Sequence, residues 1–204
     1  MRLHFSPRSP WARKVMVVAH EAGLVAHIEI VETSASPVTV NHDLATQNPL
    51  GKLPCLVTEA EGALYDSRVI CQYLDSRHSG HKLVPHEGPA RWLALRREAL
   101  ADGICDASLL ARYETVLRPR DRQWQDWLEG QNRKVHRALD HLSGEVESFP
   151  SLPDIGTIAI AVALGYRDFR FPEDDWRATR PKLALWYETF ARRPSMQATR
   201  PPEE

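Results

Sequence analysis

Asn48-Pro49-Leu50-Gly51-Lys52-Leu53-Pro54-Cys55-Leu56 is the stretch on which the fold turns. Pro49 and Gly51 mark a tight turn, Pro54 opens a strand, and Cys55, Leu56 and Val57 continue it as a short apolar run. Proline is tolerated at the first residue of a strand because its missing N–H need not join the ladder. With a cis Leu53–Pro54 bond, the Leu53 backbone turns outward. Its N–H and C=O can then pair with an extended peptide laid alongside as an added strand. With a trans bond the segment is an ordinary entry from loop to strand. This segment alone leaves both readings open.

The next motif is Leu64-Tyr65-Asp66-Ser67-Arg68-Val69-Ile70-Cys71-Gln72-Tyr73-Leu74. Asp66 and Ser67 stand where a helix should begin, and Val69, Ile70, Tyr73 and Leu74 form its expected apolar stripe. A helix N-terminus with a serine hydroxyl and free N–H groups suits a carboxylate. Asp66 beside it suits an ammonium, and a zwitterionic amino-acid head group needs both. Together, Asn-Pro-Leu-Gly-Lys-Leu-Pro and Tyr-Asp-Ser-Arg-Val-Ile resemble the glutathione-binding half of the cytosolic glutathione S-transferases, and the resemblance runs over nearly the whole chain. It implies an α/β thioredoxin-like N-terminal domain followed by an all-α C-terminal helical domain. It also implies that Leu53 and Pro54 present backbone to the cysteinyl unit of glutathione. Asp66 and Ser67 would hold the γ-glutamyl head, and Lys52 would reach the glycyl carboxylate.

Composition agrees with a globular protein. The chain has 204 residues, enough for one large domain or two small ones, with 43% hydrophobic residues and a net charge of -1. Near-neutral charge argues against nucleic acid or an anionic membrane as the main partner. The N-terminal Met1-Arg2-Leu3-His4-Phe5-Ser6 lacks the apolar run of a signal peptide, and Ile158 to Leu164, the longest apolar stretch, is too short to span a bilayer. Cys55, Cys71 and Cys105 form neither a zinc pattern nor Cys-x-x-Cys, which points to buried free thiols in a reducing cytoplasm. A redox pair of Cys55 with Cys71 is the alternative. His78, His81 and His86 have no carboxylate or cysteine at ligand spacing, so a solvated connector is expected there and no metal.

In chain order, Arg2–Phe5 reads as a strand. Ser9 is an N-cap and Pro10 the first residue of a helix running to about Ala22, stopped by Gly23, with Val15, Val18, Ala19 and Ala22 buried. A strand over His27–Val31 completes a right-handed βαβ unit. A loop follows with a short helix near Val40–Ala45, then strands at Cys55–Thr58 and Ala63–Tyr65, then the helix from Ser67. Residues 1–78 form the glutathione-binding domain in this reading, 79–89 a linker, and 90–204 the helical domain. Its helices are expected at Ala90–Leu117, with Leu93, Leu100, Ile104 and Leu110 apolar, and at Asp121–Phe149, with Trp124, Leu128, Val135, Leu139, Leu142 and Val146 apolar and Trp127 on the border. A core helix opened by Asp154 with Thr157 as a variant capping box and a last helix at Lys182–Arg192 complete it. Pro201 to Glu204 should be loose.

The chemistry centres on Ser9. Ser9-Pro10-Trp11-Ala12-Arg13 resembles the serine-type bacterial members of the family, with no tyrosine or cysteine in place to suggest the other types. A free thiol has a pKa of roughly 8.5, and its thiolate is the nucleophile. A hydroxyl hydrogen bond and a helix N-terminus both favour that anion. The plainer reading is that Ser9 only caps the helix, and Ser6 is the rival donor. The resemblance further implies that Trp11 and the first helix of the second domain wall a pocket for a small apolar electrophile. Asp102 and Asp106 sit one helical turn apart, which reads as a polar stripe. By resemblance, Asp106 reaches the glutathione of a partner subunit in a homodimer. Apolar residues beyond one stripe of Ala90–Leu117 also suggest a partner. His20 and His136 lie within helical patterns and read as surface or boundary residues, not as ligands. No Gly-x-Gly-x-x-Gly, phosphate loop or Gly-x-Ser-x-Gly elbow competes. The implied activity is a detoxifying, cytoplasmic transferase using glutathione as co-substrate. The alternatives are a glutathione-dependent isomerase, dehalogenase or peroxidase, or a non-catalytic glutathione-binding or stress-regulatory protein.

Overall fold

The computed structural model describes residues 1–203; Glu204, the end of the tail expected to be loose, lies outside the described residues. The chain divides into two compact units, one holding residues 1–86 and the chain from Pro194 onward, the other Glu87–Arg193.

In the first unit the elements are β1 (Arg2–Phe5), α1 (Pro10–Glu21), β2 (Glu29–Glu32), α2 (His42–Gln47), β3 (Cys55–Thr58), β4 (Gly62–Leu64) and α3 (Ser67–Ser76). The sheet order is β2-β1-β3-β4. β1 runs parallel to β2 and antiparallel to β3, and β3 runs antiparallel to β4. Leu3 and Leu56 pair in the middle of the sheet and are fully buried, as are Val15, Val18 and Ala19 on α1. Gly23 has φ 69, a left-handed value that lets the chain leave α1 sharply.

Several boundaries differ from expectation for local reasons. β2 begins at Glu29 because Val25–His27 wind into a 3-10 turn. α2 begins at His42 because the Asn41 side chain caps it, accepting the Leu44 N–H at 3.0 Å. On α3, Val69 is 45% exposed and Tyr73 half-buried; the buried stripe is Ile70, Cys71 and Leu74. The segment after α3 is mostly exposed, as a connector should be, but it is anchored inward at one point. The buried Asp75 carboxylate accepts the Leu83 N–H at 2.8 Å and the Val84 N–H at 3.2 Å, and pairs with His78 Nε2 at 3.1 Å. Leu83 and Val84 are themselves buried.

The second unit is helical: α4 (Gly88–Val116), α5 (Gln125–Glu145), α6 (Ile155–Arg170) and α7 (Pro181–Ala191). α6 is buried all along Ile158–Leu164. Its capping box is present: Thr157 N–H donates to Asp154 Oδ1 at 2.8 Å, and Asp154 N–H to Thr157 Oγ1 at 3.0 Å. Of the apolar positions named on α4, Ile104 is buried, Leu93 and Leu100 are half-buried and Leu110 is 42% exposed. The small residues Ala94, Ala101, Ala107, Ser108 and Ala111 are buried, together with Cys105 and the polar Arg97, Glu98, Asp102 and Glu114. α6 approaches closely at Ala94, since a Cβ on Gly156 would lie 2.7 Å from the Ala94 carbonyl oxygen. The helix expected over Asp121–Phe149 is also shorter. Arg120–Arg122 and Val146–Ser148 are 3-10 turns, and Trp124 stands at the N-cap of α5, 61% exposed, with Val135, Leu139 and Leu142 buried. Among the described residues no helix is long and apolar enough to cross a membrane.

A last helix, α8 (Pro194–Ala198), escaped the sequence reading and packs on α1, within the first unit. Arg13 Nη2 donates to the Met196 carbonyl at 3.2 Å, and the Ser195 hydroxyl donates to Glu21. These bonds explain why the residues after 193 group with the α/β unit and not with the helices before them.

Candidate functional site

The strand register gathers the candidate residues of the first unit at one end of the sheet. His4 pairs with Cys55 and Leu56 with Leu64. The end of β1, the start of β3 and the end of β4 therefore lie side by side. The turn bearing Ser9, the Leu53–Pro54 turn and the Asp66–Ser67 helix start all emerge from that edge.

Ser9 is the N-cap of α1, half-buried, with Pro10 following as the first helical residue. Its Oγ accepts the Ala12 N–H at 3.3 Å, and its N–H donates to the Ser6 carbonyl at 3.0 Å. Among the described residues the Ser9 hydroxyl proton has no acceptor. Capping uses the oxygen lone pair, so the O–H stays available to donate. The first turn of α1 holds no acidic residue, so the positive end of its dipole is not offset there. Ser6, the rival, accepts the Arg8 N–H at 3.4 Å and is also half-buried. Trp11 follows on α1, half-buried.

The Leu53–Pro54 peptide bond is cis. Leu53 is half-buried, and neither its N–H nor its C=O has a hydrogen-bond partner among the described residues. The loop before it is built by Asn48, a residue whose part the sequence reading missed. Asn48 is 2% exposed. Its Oδ1 accepts the Leu50 N–H at 3.1 Å and its Nδ2 donates to the Lys52 carbonyl at 2.9 Å. An asparagine flanked by a Pro-Leu-Gly turn is the signal that could have revealed it. Gly51, with φ 60, takes the left-handed corner. Lys52 is exposed and Pro54 buried.

Asp66 is the N-cap of α3 and follows a cis Tyr65–Asp66 bond. It is exposed, and Oδ1 accepts the Arg68 N–H at 3.0 Å. Ser67, the first helical residue, is 1% exposed. What the helix end presents outward is thus chiefly the Asp66 carboxylate and early N–H groups.

Asp106 belongs to the helical unit, where it is exposed on α4, one turn after the buried Asp102. The cysteines are free and buried, and burial pushes the Cys55 thiol up, away from thiolate chemistry. Among the described residues no group of His, Cys, Asp and Glu side chains is arranged to hold a metal ion.

A mixed sheet of this order, flanked by α1 and α3 and followed by a helical unit, defines a thioredoxin-like domain joined to an all-α domain. Residues 8–77 match the family model for the glutathione S-transferase N-terminal domain, and residues 125–189 that for the C-terminal domain. The chain is 36% identical over 207 residues to the uncharacterized GST-like protein YibF of Escherichia coli K12, covering 100% of each. A glutathione transferase family member from Pseudomonas fluorescens Pf-5, solved with bound glutathione, superposes with TM-score 0.97 at 48% identity over 99% of each chain. That protein was also solved with bound S-(propanoic acid)-glutathione, at TM-score 0.92 and 47% identity over 100% of each chain. A stringent starvation protein A homolog of Pasteurella multocida is 36% identical over 92 residues, 43% of this chain and 41% of that protein. The chain belongs to the glutathione S-transferase family.

Proposed function

We propose that the protein is a serine-type glutathione transferase that conjugates the glutathione thiolate to a small electrophile. The observation that carries this reading is the meeting, at one sheet edge, of a capping serine with a free O–H, an unpaired Leu53 backbone and the Asp66-capped start of α3. Leu53 pairs with the cysteinyl backbone, Pro54 fixes that turn, Asp66 and Ser67 hold the γ-glutamyl head, and Lys52 meets the glycyl carboxylate. Ser9 donates to the sulfur and favours its anionic form. Trp11 borders the electrophile. The enzyme works in the cytoplasm as a homodimer in which Asp106 reaches the partner's glutathione. The glutathione complexes of the Pseudomonas fluorescens relative support the ligand.

The match to a stringent starvation protein over the shorter segment favours a second reading, a glutathione-binding regulator without turnover. Calorimetric titration with glutathione, followed by turnover of chlorodinitrobenzene and product analysis, separates the two. Transferase activity predicts the thioether product. Tight glutathione binding with no turnover of this or any isomerase, dehalogenase or peroxide substrate leaves the regulator reading. No glutathione binding overturns both.

A further inference from the structure

The direction of the Leu53 N–H is set by a residue that does not itself reach outward. Asn48 is 2% exposed, and its backbone and side-chain polar groups all have partners in the chain. Its N–H donates to the Leu44 carbonyl at 2.8 Å, which ties it to α2, and its C=O accepts the Gly51 N–H at 2.8 Å. Leu44 is fully buried, so this hub is anchored in the core of the first unit. The Asn48 Oδ1 accepts the Leu50 N–H at 3.1 Å, and Nδ2 donates to the Lys52 carbonyl at 2.9 Å. The partners fix which way the side-chain amide lies, because an N–H must meet its oxygen and a C=O its nitrogen. Asparagine carries that acceptor and that donor on one short planar group. Aspartate carries acceptors alone, and serine a single oxygen.

The Lys52–Leu53 peptide bond is trans, so its C=O and N–H point in opposite directions across one plane. The bond from Asn48 Nδ2 holds the C=O edge of that plane toward a buried side chain. The opposite edge carries the Leu53 N–H, which is therefore turned away from Asn48 and has no partner among the described residues. Beyond Leu53 the chain is held again at Cys55, which pairs with His4 in the sheet. The plane is thus fixed on one side by a side-chain amide and on the other by the strand ladder. Among the described residues the Lys52 carbonyl accepts no other hydrogen bond. Removing the Nδ2 donor therefore releases the plane to rotate while the strand stays paired.

We propose that Asn48 is a positioning residue for glutathione: it aims the Leu53 N–H at the cysteinyl carbonyl of the tripeptide without touching the ligand. This rests on the glutathione reading of the site, and it is the same for a transferase and for a binder without turnover. In the complex, the ligand carbonyl, the Leu53 N–H, the Lys52 C=O and the Asn48 Nδ2–H form one continuous chain of hydrogen bonds. Each bond in such a chain polarises the next, so contact at Leu53 is felt at the Asn48 amide. The sulfur takes no part in it. Asn48 acts on the peptide of glutathione, and Ser9 on the thiol.

Asn48→Asp isolates this role, because the carboxylate keeps the acceptor for the Leu50 N–H and loses the donor to the Lys52 carbonyl. Calorimetric titration of the full chain should show glutathione and S-methylglutathione weakened by the same factor, about five- to tenfold, the worth of one backbone hydrogen bond. The pH at which the bound glutathione thiol titrates should not move. Amide exchange at Leu53, read by NMR, should be slowed by saturating glutathione in the wild-type protein and not in the variant. A residue that merely stabilises the loop would not produce that difference. Equal Leu53 protection in the two proteins, or wild-type affinity for both ligands, overturns the proposal and leaves the glutathione reading standing. A loss confined to glutathione and sparing S-methylglutathione also overturns it, since the fault would lie at the sulfur. A wild-type protein that binds neither ligand overturns the glutathione reading and the role of Asn48 with it. If Asn48→Asp fails to fold by circular dichroism, the wild-type protein decides. Glutathione should then shift the Asn48 side-chain amide protons downfield together with the Leu53 N–H, and Asn48 resonances that stay in place overturn the proposal.

Discussion

Ser9→Ala separates a helix cap from a thiolate donor. The Ser9 oxygen holds the Ala12 N–H at 3.3 Å, a long bond, so loss of the cap should cost about 0.5–1 kcal/mol of stability, the low end for such caps. The O–H proton has a separate task. Donating to the glutathione thiolate is a charge-assisted bond of about 1.5–3 kcal/mol, which corresponds to roughly one to two pKa units on the thiol. A bound thiol whose pKa is depressed makes glutathione binding tighten as pH rises through that depressed value. Ser9→Ala should move this rise upward in pH and leave affinity unchanged well below it, where the thiol is neutral in both proteins. At neutral pH the thiolate fraction and the conjugation rate should fall about tenfold or more, recovering as pH increases. The thiolate absorbance of bound glutathione, titrated against pH in both proteins, reads the pKa directly. If the wild-type complex titrates like free glutathione, Ser9 is only a cap. A depressed pKa that Ser9→Ala leaves in place moves the role to another donor, Ser6 first.

Asp66→Ala and Ser67→Ala should each weaken glutathione binding by about 1–3 kcal/mol with a smaller effect on folding, and calorimetric affinities equal to wild type would remove these residues from the site. The homodimer predicts twice the chain mass by light scattering at micromolar concentration; a clean monomer mass would refute it. Asp75→Ala leaves the buried Leu83 and Val84 N–H groups without their acceptor and should cost roughly 2–4 kcal/mol in urea unfolding. An unchanged urea midpoint would mean that the segment after α3 is held by other contacts.

Local signals carried the fold where one residue type has one strong use. Ser9-Pro10 marked the start of α1, Gly23 its exit, Asp154 with Thr157 the start of α6, and Pro54 the entry to β3. The sequence was less legible where packing overrules pattern. Leu93, Leu100, Ile104 and Leu110 read alike as apolar positions of α4, yet only Ile104 is buried while Leu110 is 42% exposed, and the close approach at Gly156 is to the small residue Ala94. The histidine-bearing stretch after α3 reads as solvated because it is polar, but the Asp75 carboxylate draws its backbone inward. α8 is too short for periodicity to reveal, and only the Arg13 and Glu21 side chains show where it packs.

The candidate site shows the same division more sharply. Ser9, Leu53 and Asp66 lie far apart in the chain, and no spacing rule joins them; only family resemblance suggested that they act together. The physical reason they meet is the reversal of β3 beside β1, which puts the exit of one strand against the entry of the next, and β4 then returns to the same edge. The pairing of α4 with α6 had no such resemblance to expose it. The two helices are far apart in the chain, and only the Arg167–Ser108 bond at 3.3 Å and the close approach at Gly156 set the register of one against the other. Helical periodicity says which residues share a face of one helix, but not which residues of another helix that face will meet. The meeting of faces between helices is therefore a property of packing, and a search for ligand chemistry in helical domains has to begin from the contacts.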